Sequence, residues 1–100
     1  FTPSRMHYVY ILYSPGSDKY YVGQTSDVSQ RLQYHNELST KSYTSRHRPW
    51  ELRAVLEVPS RGLAMRLERH IKNYKDRGYI RELIESESAR CALEARFREE

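Results

Sequence analysis

Six residues stand in an order that could do chemistry on an anion. Tyr10 lies in "HYVYILYS", Tyr21 and Gly23 in "YYVGQT", Arg31 and His35 in "SQRLQYH", and Glu68 in "RLERHIK". Phenols and an imidazole can carry protons, a guanidinium offers a planar fork of donors to an oxyanion, and a carboxylate suits a hard divalent cation. Each residue taken singly also has an ordinary use. Strands favour tyrosine, and a buried phenol needs only a hydrogen bond. Arg31 can be a solvated arginine, His35 a histidine half buried against a strand, and Glu68 the i, i+4 partner of Lys72, a pair worth about 0.3 to 0.5 kcal/mol.

The elements around these residues decide whether they meet. "HYVYILYS" and "YYVGQT" are rich in aromatic and β-branched residues and read as strands. The "PGSDK" between them has the chemistry of a tight connection, so the two predict an antiparallel hairpin. If Tyr13 pairs with Tyr20, then Leu12 faces Tyr21 and Tyr10 faces Gly23. Tyr10 and Tyr21 then become diagonal neighbours on one face, and Gly23 leaves room beside the Tyr10 ring. Thr25, Ser26 and Asp27 supply helix-capping oxygens, and Val28 and Leu32 repeat at i, i+4, which predicts a helix from about Asp27 to Leu38. Arg31 and His35 flank its apolar stripe one above the other, at the rim of the core.

Ser39 to Pro49 lacks a clear period and is polar and basic, hence a loop that can hold a ligand. Trp50, Leu52, Ala54, Leu56 and Val58 alternate with Glu51, Arg53, Val55 and Glu57, a third strand with the first set on one face. After Pro59 and Ser60, the apolar arc of Leu63, Ala64, Leu67, Ile71 and Tyr74 predicts a second helix to about Lys75, which Gly78 interrupts. "YIRELIES" predicts a third helix. The whole is α+β, in the order β-β-α-β-α-α, with a three-stranded antiparallel sheet flanked by helices. Residues 1–6 are expected to be a disordered leader, 7–85 the domain, and 86–100 a tail or an extension of the last helix.

The length of 100 residues suits one domain with a modest core. Apolar residues make up 38% and charged ones 30%, and the net charge is +4. Lys41, Arg46, His47, Arg48, Arg53, Arg61, Arg66, Arg69, Lys72, Lys75, Arg77 and Arg81 crowd the middle, a footprint for an anionic partner such as nucleic acid. Cys91 is the sole cysteine, which excludes an internal disulfide framework and a thiolate-rich zinc site. No run approaches the ~20 apolar residues of a membrane span, so no membrane partner and a cytoplasmic location are expected.

The combination resembles the GIY-YIG nuclease superfamily. "YVY" (Tyr8 to Tyr10), "YVG" (Tyr21 to Gly23), Arg31 ten residues after Tyr21, His35 one turn later and the distant Glu68 are similar to its pattern. The likeness covers about Met6 to Tyr74. In size and in "SYTSRHRPWELRAVLE" the chain looks most like small single-domain bacterial members, relatives of the catalytic domain that cuts branched DNA. Two departures stand out: Tyr8 replaces the first motif's glycine, and the asparagine that some members carry after the glutamate has no secure match.

The resemblance implies a metal-dependent endonuclease that hydrolyses DNA phosphodiester bonds, in repair or recombination, on branched or damaged DNA and with a protein partner that supplies targeting. It implies Tyr10, Tyr21, Arg31, His35 and Glu68 as catalytic residues, with Glu68 holding one Mg²⁺ and Arg31 clamping the scissile phosphate. Tyr10 assisted by His35 is the favoured base, and Tyr21 a phosphate or water ligand that can exchange roles with it. Lys41, Arg46, His47 and Arg48 are the expected nucleic-acid contacts, and Gly23 is structural. Two other readings keep the fold without the chemistry: a nucleic-acid-binding module, and an interaction protein docking an acidic partner on its basic surface.

Overall fold

The structure, a computed structural model, describes residues 6–38 and 43–98. In chain order the elements are β1 (His7–Ser14), β2 (Lys19–Thr25), α1 (Val28–Gln33), a π-helical turn (Tyr34–Leu38), the short α2 (Tyr43–Arg46), β3 (Glu51–Val58), α3 (Arg61–Tyr74), α4 (Arg77–Glu85) and α5 (Glu87–Arg98). The strands form one antiparallel sheet in the order β2-β1-β3, so the fold is the expected α+β arrangement.

Val9, Tyr10, Ile11 and Leu12 of β1 are all buried, because a central strand needs cover on both faces. On one face Val9 and Ile11 pack with Val22, Ala54 and Leu56 beneath Leu63, Leu67, Ile71, Leu83, Leu93 and Phe97 of the last three helices. On the other, Tyr10 and Leu12 meet Trp50, with Tyr21 and Leu32 at the margin. The larger cluster holds the fold together, each buried Leu or Phe contributing about 1.5 to 3 kcal/mol. The smaller one is aromatic and carries the polar groups.

The hairpin has the expected register, with Tyr13 opposite Tyr20, Leu12 opposite Tyr21 and Tyr10 opposite Gly23. Its left-handed turn residue is Asp18 (φ 53°), whose short polar side chain tolerates that conformation. The Asp18 carboxylate accepts from the Tyr13 hydroxyl at 2.9 Å and from Arg77 Nη2 at 2.7 Å, tying the turn to α4.

Elsewhere local details depart from the expected pattern. In β3, Ala54 lies opposite Ile11 but Leu52 lies opposite Leu12, so Arg53 is an extra, bulged residue. The bulge breaks the alternation. Leu52 and Trp50 leave the face of Ala54, Leu56 and Val58, and Trp50 packs with Tyr10 and Leu12 instead. The helix begun by Asp27, which accepts from Gln30 N at 3.0 Å, does run to Leu38, but its second half is wound more widely as the π turn. The expected Ser39–Pro49 loop contains α2, and residues 39–42 of it lie outside the described residues.

The break after α3 falls before Gly78. Lys75 takes a left-handed conformation (φ 55°), and Asp76 caps α4 by accepting from Gly78 N at 2.8 Å. Beyond Glu85 the chain forms α5, which buries Leu93 and Phe97 against the main core. Arg90 of α5 donates to the carbonyls of Leu83 and Ile84 at 2.6 and 2.8 Å, satisfying groups that the end of α4 leaves free. No helix among the described residues is long and apolar enough to cross a membrane.

Candidate active site

The aromatic face of the hairpin places a phenol where it cannot turn. Tyr10 is 2% exposed, and a Cβ added at Gly23 would fall on its hydroxyl and within 2.5 Å of its Cζ. Gly23 is therefore a space, and the phenol fills it. The Tyr21 ring stands beside it, centroids 6.4 Å apart. The Tyr10 hydroxyl and His35 Nε2 share a hydrogen bond of 2.9 Å, and the His35 and Tyr21 rings meet edge to face at 4.9 Å.

His35 is held from four directions. Its Nδ1 bonds the Thr44 hydroxyl of α2 at 2.9 Å, and its carbonyl accepts from Arg48 Nε at 2.9 Å. Trp50 Nε1 donates to the Thr44 carbonyl at 2.7 Å, which fixes α2 against the start of β3. Asn36, the next residue of the π turn, bonds both backbone groups of Trp50: Nδ2 donates to its carbonyl at 3.0 Å, and its N–H donates to Oδ1 at 2.7 Å. The bulge in β3 makes this possible by turning Trp50 to the face of Tyr10 and Leu12.

Arg31 sits half buried one turn before His35, its Cζ 4.4 Å from the centroid of the Tyr34 ring. Among the described residues it has no carboxylate in an ion pair. Its positive charge lies near enough to pull down the proton affinity of the Tyr10 phenol. Glu68 approaches from α3 across the β2 edge, near enough for its charge to act on both Tyr10 and Tyr21. Its carboxylate is 3.7 Å from Lys72 Nζ, and that ammonium is 5.3 Å from the Tyr21 ring centroid. The structure thus brings Tyr10, Tyr21, Arg31, His35 and Glu68 into one neighbourhood around the two phenols.

Residues 6–80 match the family model of the GIY-YIG catalytic domain. The chain belongs to the GIY-YIG family. It is 37% identical over 71 residues to the UPF0213 protein BH0048 of Halalkalibacterium halodurans, covering 71% of this chain and 74% of that one. A UPF0213 protein of Halobacterium salinarum is 40% identical over 67 residues, 67% of this chain and 86% of its own. The structure-specific endonuclease subunit SLX1 of Cryptococcus neoformans is 42% identical over 55 residues, which are 52% of this chain but only 11% of that protein. The solution NMR structure of BH0048 is similar at 34% identity with a TM-score of 0.49, over 79% of this chain and 82% of that one. The family is one of nucleases, and this member carries its tyrosines, arginine and glutamate in one cluster.

Burial governs the proton affinities of this GIY-YIG site. It pushes the Tyr10 phenol up to about 12, against the downward pull of the nearby Arg31 guanidinium, and raises Tyr21 as well. Burial first, and the Arg31 charge second, lower His35 to about 4. At neutral pH the pair is therefore a neutral phenol on a neutral imidazole. In one tautomer Nε2 accepts the phenol proton; in the other, Nε2–H donates to the phenol oxygen.

The low His35 value has a consequence for stability. The unfolded chain takes up a proton near 6.5 and the folded one near 4, so the contribution is whole above 6.5 and is lost as pH falls through 4. It amounts to roughly 3 kcal/mol. Urea unfolding from neutral pH down to about pH 4 should show the wild type losing roughly 3 kcal/mol more than His35→Gln. Equal losses in the two proteins would mean that His35 titrates normally in the fold.

A divalent cation would have one carboxylate here. No group of three His, Cys, Asp or Glu side chains surrounds such an ion among the described residues. A single partly buried carboxylate fits magnesium, which keeps most of its water and takes only one or two protein carboxylates. It does not fit a cation that needs a full protein cage.

The basic segment divides by job. Arg48 is spoken for in part by the His35 carbonyl, and His47 Nδ1 bonds Ser17 Oγ at 2.9 Å, pinning α2 to the hairpin turn. Arg46 is exposed at the end of α2, and Lys41 lies outside the described residues. Residues that sequence reasoning passed over are Thr44, Asn36 and Tyr34, whereas Lys72 is the expected i, i+4 partner of Glu68. Trp50 was expected in β3 but on the other face. Thr44 and Asn36 sit in polar stretches with no periodic signal to single them out.

Proposed function

We propose that this chain is a metal-dependent endonuclease that hydrolyses DNA phosphodiester bonds in the cytoplasm, with Tyr10 as its general base. The observation that carries the reading is the Tyr10 hydroxyl, wedged over Gly23 and hydrogen-bonded to a buried His35 with Arg31 alongside. A strand tyrosine with only a packing role needs one hydrogen bond, and has no need of a buried imidazole and a guanidinium together.

Hydrolysis needs an activated water and neutralisation of the charge that builds on the phosphate. Arg31, without a carboxylate partner among the described residues, offers its planar fork to the scissile phosphate. Glu68 would hold the divalent ion, magnesium by the character of the donor set, and that ion when bound supplies positive charge at the phosphate. Tyr10 acts in its phenolate form, having released its proton to solvent; neutral His35 donates Nε2–H to that oxygen and orients it as it takes a proton from the attacking water. Tyr21 lies within reach of the same phosphate or its water. Arg46, exposed at the end of α2, adds a further positive charge for the DNA backbone, and Lys41 is the other expected contact. The description of SLX1 as a structure-specific endonuclease subunit supports a branched or damaged DNA substrate, a role in repair or recombination, and a partner protein that directs the cut.

Nicking assays on supercoiled, single-stranded and branched DNA, with magnesium or with a chelator, test the reading. Magnesium-dependent cleavage is expected; a protein that binds all three and cuts none overturns it. The pH dependence tests the base. With the phenol at about 12, only about one part in 10⁵ is ionised at pH 7. The single-turnover rate should therefore climb about tenfold per pH unit through the neutral range. A flat profile would remove Tyr10 from the role.

A further inference from the structure

We infer that a polar cavity beside the Tyr10 site binds a second phosphate of the same DNA strand, held between Arg31 and Arg61. The inference rests on the DNA-cleaving reading above and extends it by one subsite. The cavity, about 370 Å³, is lined by His7, Gln24, Thr25, Ser26, Arg31 and Arg61. That volume is at the small end of the roughly 300 to 1,000 Å³ of ligand-binding clefts, large enough for a phosphate with its sugar.

Two observations point to an anion. All six lining residues are polar, two carry guanidinium groups, and none is a carboxylate. Neither Arg31 nor Arg61 forms an ion pair among the described residues, so the two positive charges face one cavity uncompensated.

The position fits a strand rather than a separate ligand. Gln24 and Thr25 follow Gly23 directly on β2, and Arg31 belongs to both the cavity and the Tyr10 cluster. A strand with its scissile phosphate on Arg31 would place a neighbouring phosphate toward Arg61, the first residue of α3. Arg61 thus sets where along the strand the cut falls, a job that differs from that of the exposed Arg46 at the far side of His35.

Fluorescence anisotropy with a labelled DNA strand, in chelator so that nothing is cut, tests this directly. Arg61→Gln should weaken binding about tenfold at low salt and reduce the slope of log K against log salt by about 0.7 to 0.9, the share of one phosphate. Arg61→Lys should restore the slope, because an ammonium also neutralises a phosphate. Strands carrying one uncharged methylphosphonate at successive positions should lose affinity for the wild type at the phosphate next to the scissile one. Arg61→Gln should be indifferent to that same replacement. Wild-type binding with an unchanged slope in Arg61→Gln overturns the subsite alone. A loss that follows only a terminal phosphate also overturns it. Failure of the wild type to bind DNA overturns the nuclease reading and the subsite together.

Discussion

Glu68→Gln should give a folded protein that binds DNA as the wild type does and cleaves it at least about a hundredfold more slowly. The substitution keeps the shape of the side chain and its helix propensity and removes only the charge that a hard cation requires. Its other visible partner, Lys72 at 3.7 Å, is about half exposed, and a pair of that kind contributes less than about 0.5 kcal/mol. Stability therefore should not move by more than that, and thermal melting of the two proteins separates a lost metal ligand from a lost fold. Arg31→Ala should also stop cleavage but should weaken DNA binding with it. Full-rate cleavage by Glu68→Gln would refute Glu68 as the cation's holder, whatever the fate of Tyr10.

Gly23→Ala carries the second large effect, and a single methyl group produces it. The added carbon lands on the Tyr10 hydroxyl and Cζ, and the ring, 2% exposed and wedged beside Leu12 and Trp50, has nowhere to go. Overpacking of this kind costs about 1 to 3 kcal/mol. Displacing the phenol by about an ångström from its partners should also lower cleavage about a hundredfold. The clash can be shown to be the cause in a Tyr10→Ala background. Without the ring, Gly23→Ala should be close to neutral in urea unfolding, giving a large coupling between the two sites. An alanine tolerated at full stability in the wild type would show that the sheet yields and that Gly23 is not there to make room.

How much of this was legible in the sequence follows from the range of each interaction. The hairpin register could be read because its turn residues and its alternation lie within twenty residues of chain, and one pairing fixes all the others. Tyr10, Tyr21 and Gly23 fell into place with it. Arg31 and His35 were readable as neighbours because helical spacing is local, but the π turn that seats His35 was not, since nothing in "YHNEL" marks the wider winding. Thr44 was out of reach for a different reason. Its hydroxyl meets His35 only because Trp50 and Asn36 fasten three separate elements together, and such contacts have no period in the sequence. The polar cavity between Arg31 and Arg61 likewise joins the first residue of β1, the end of β2 and the start of α3. The last helix was ambiguous because its apolar residues are sparse, and only Leu93 and Phe97 find the core.

The bulge at Arg53 makes the Tyr10–His35 cluster depend on a count of residues as well as on their kinds. Arg53 points into no catalytic contact; its guanidinium pairs with Glu51 at 2.6 Å and lies over the Tyr13 ring. Its side chain can change at little expense, since what the site uses is the extra peptide unit. Deleting any one residue between Glu51 and Arg53 would restore regular pleating, swing Trp50 to the opposite face and withdraw both the Thr44 and the Asn36 attachments from beneath His35. For this stretch of chain an insertion or deletion is the damaging event and a substitution the mild one, so the start of β3 is free to drift in spelling while its length is held.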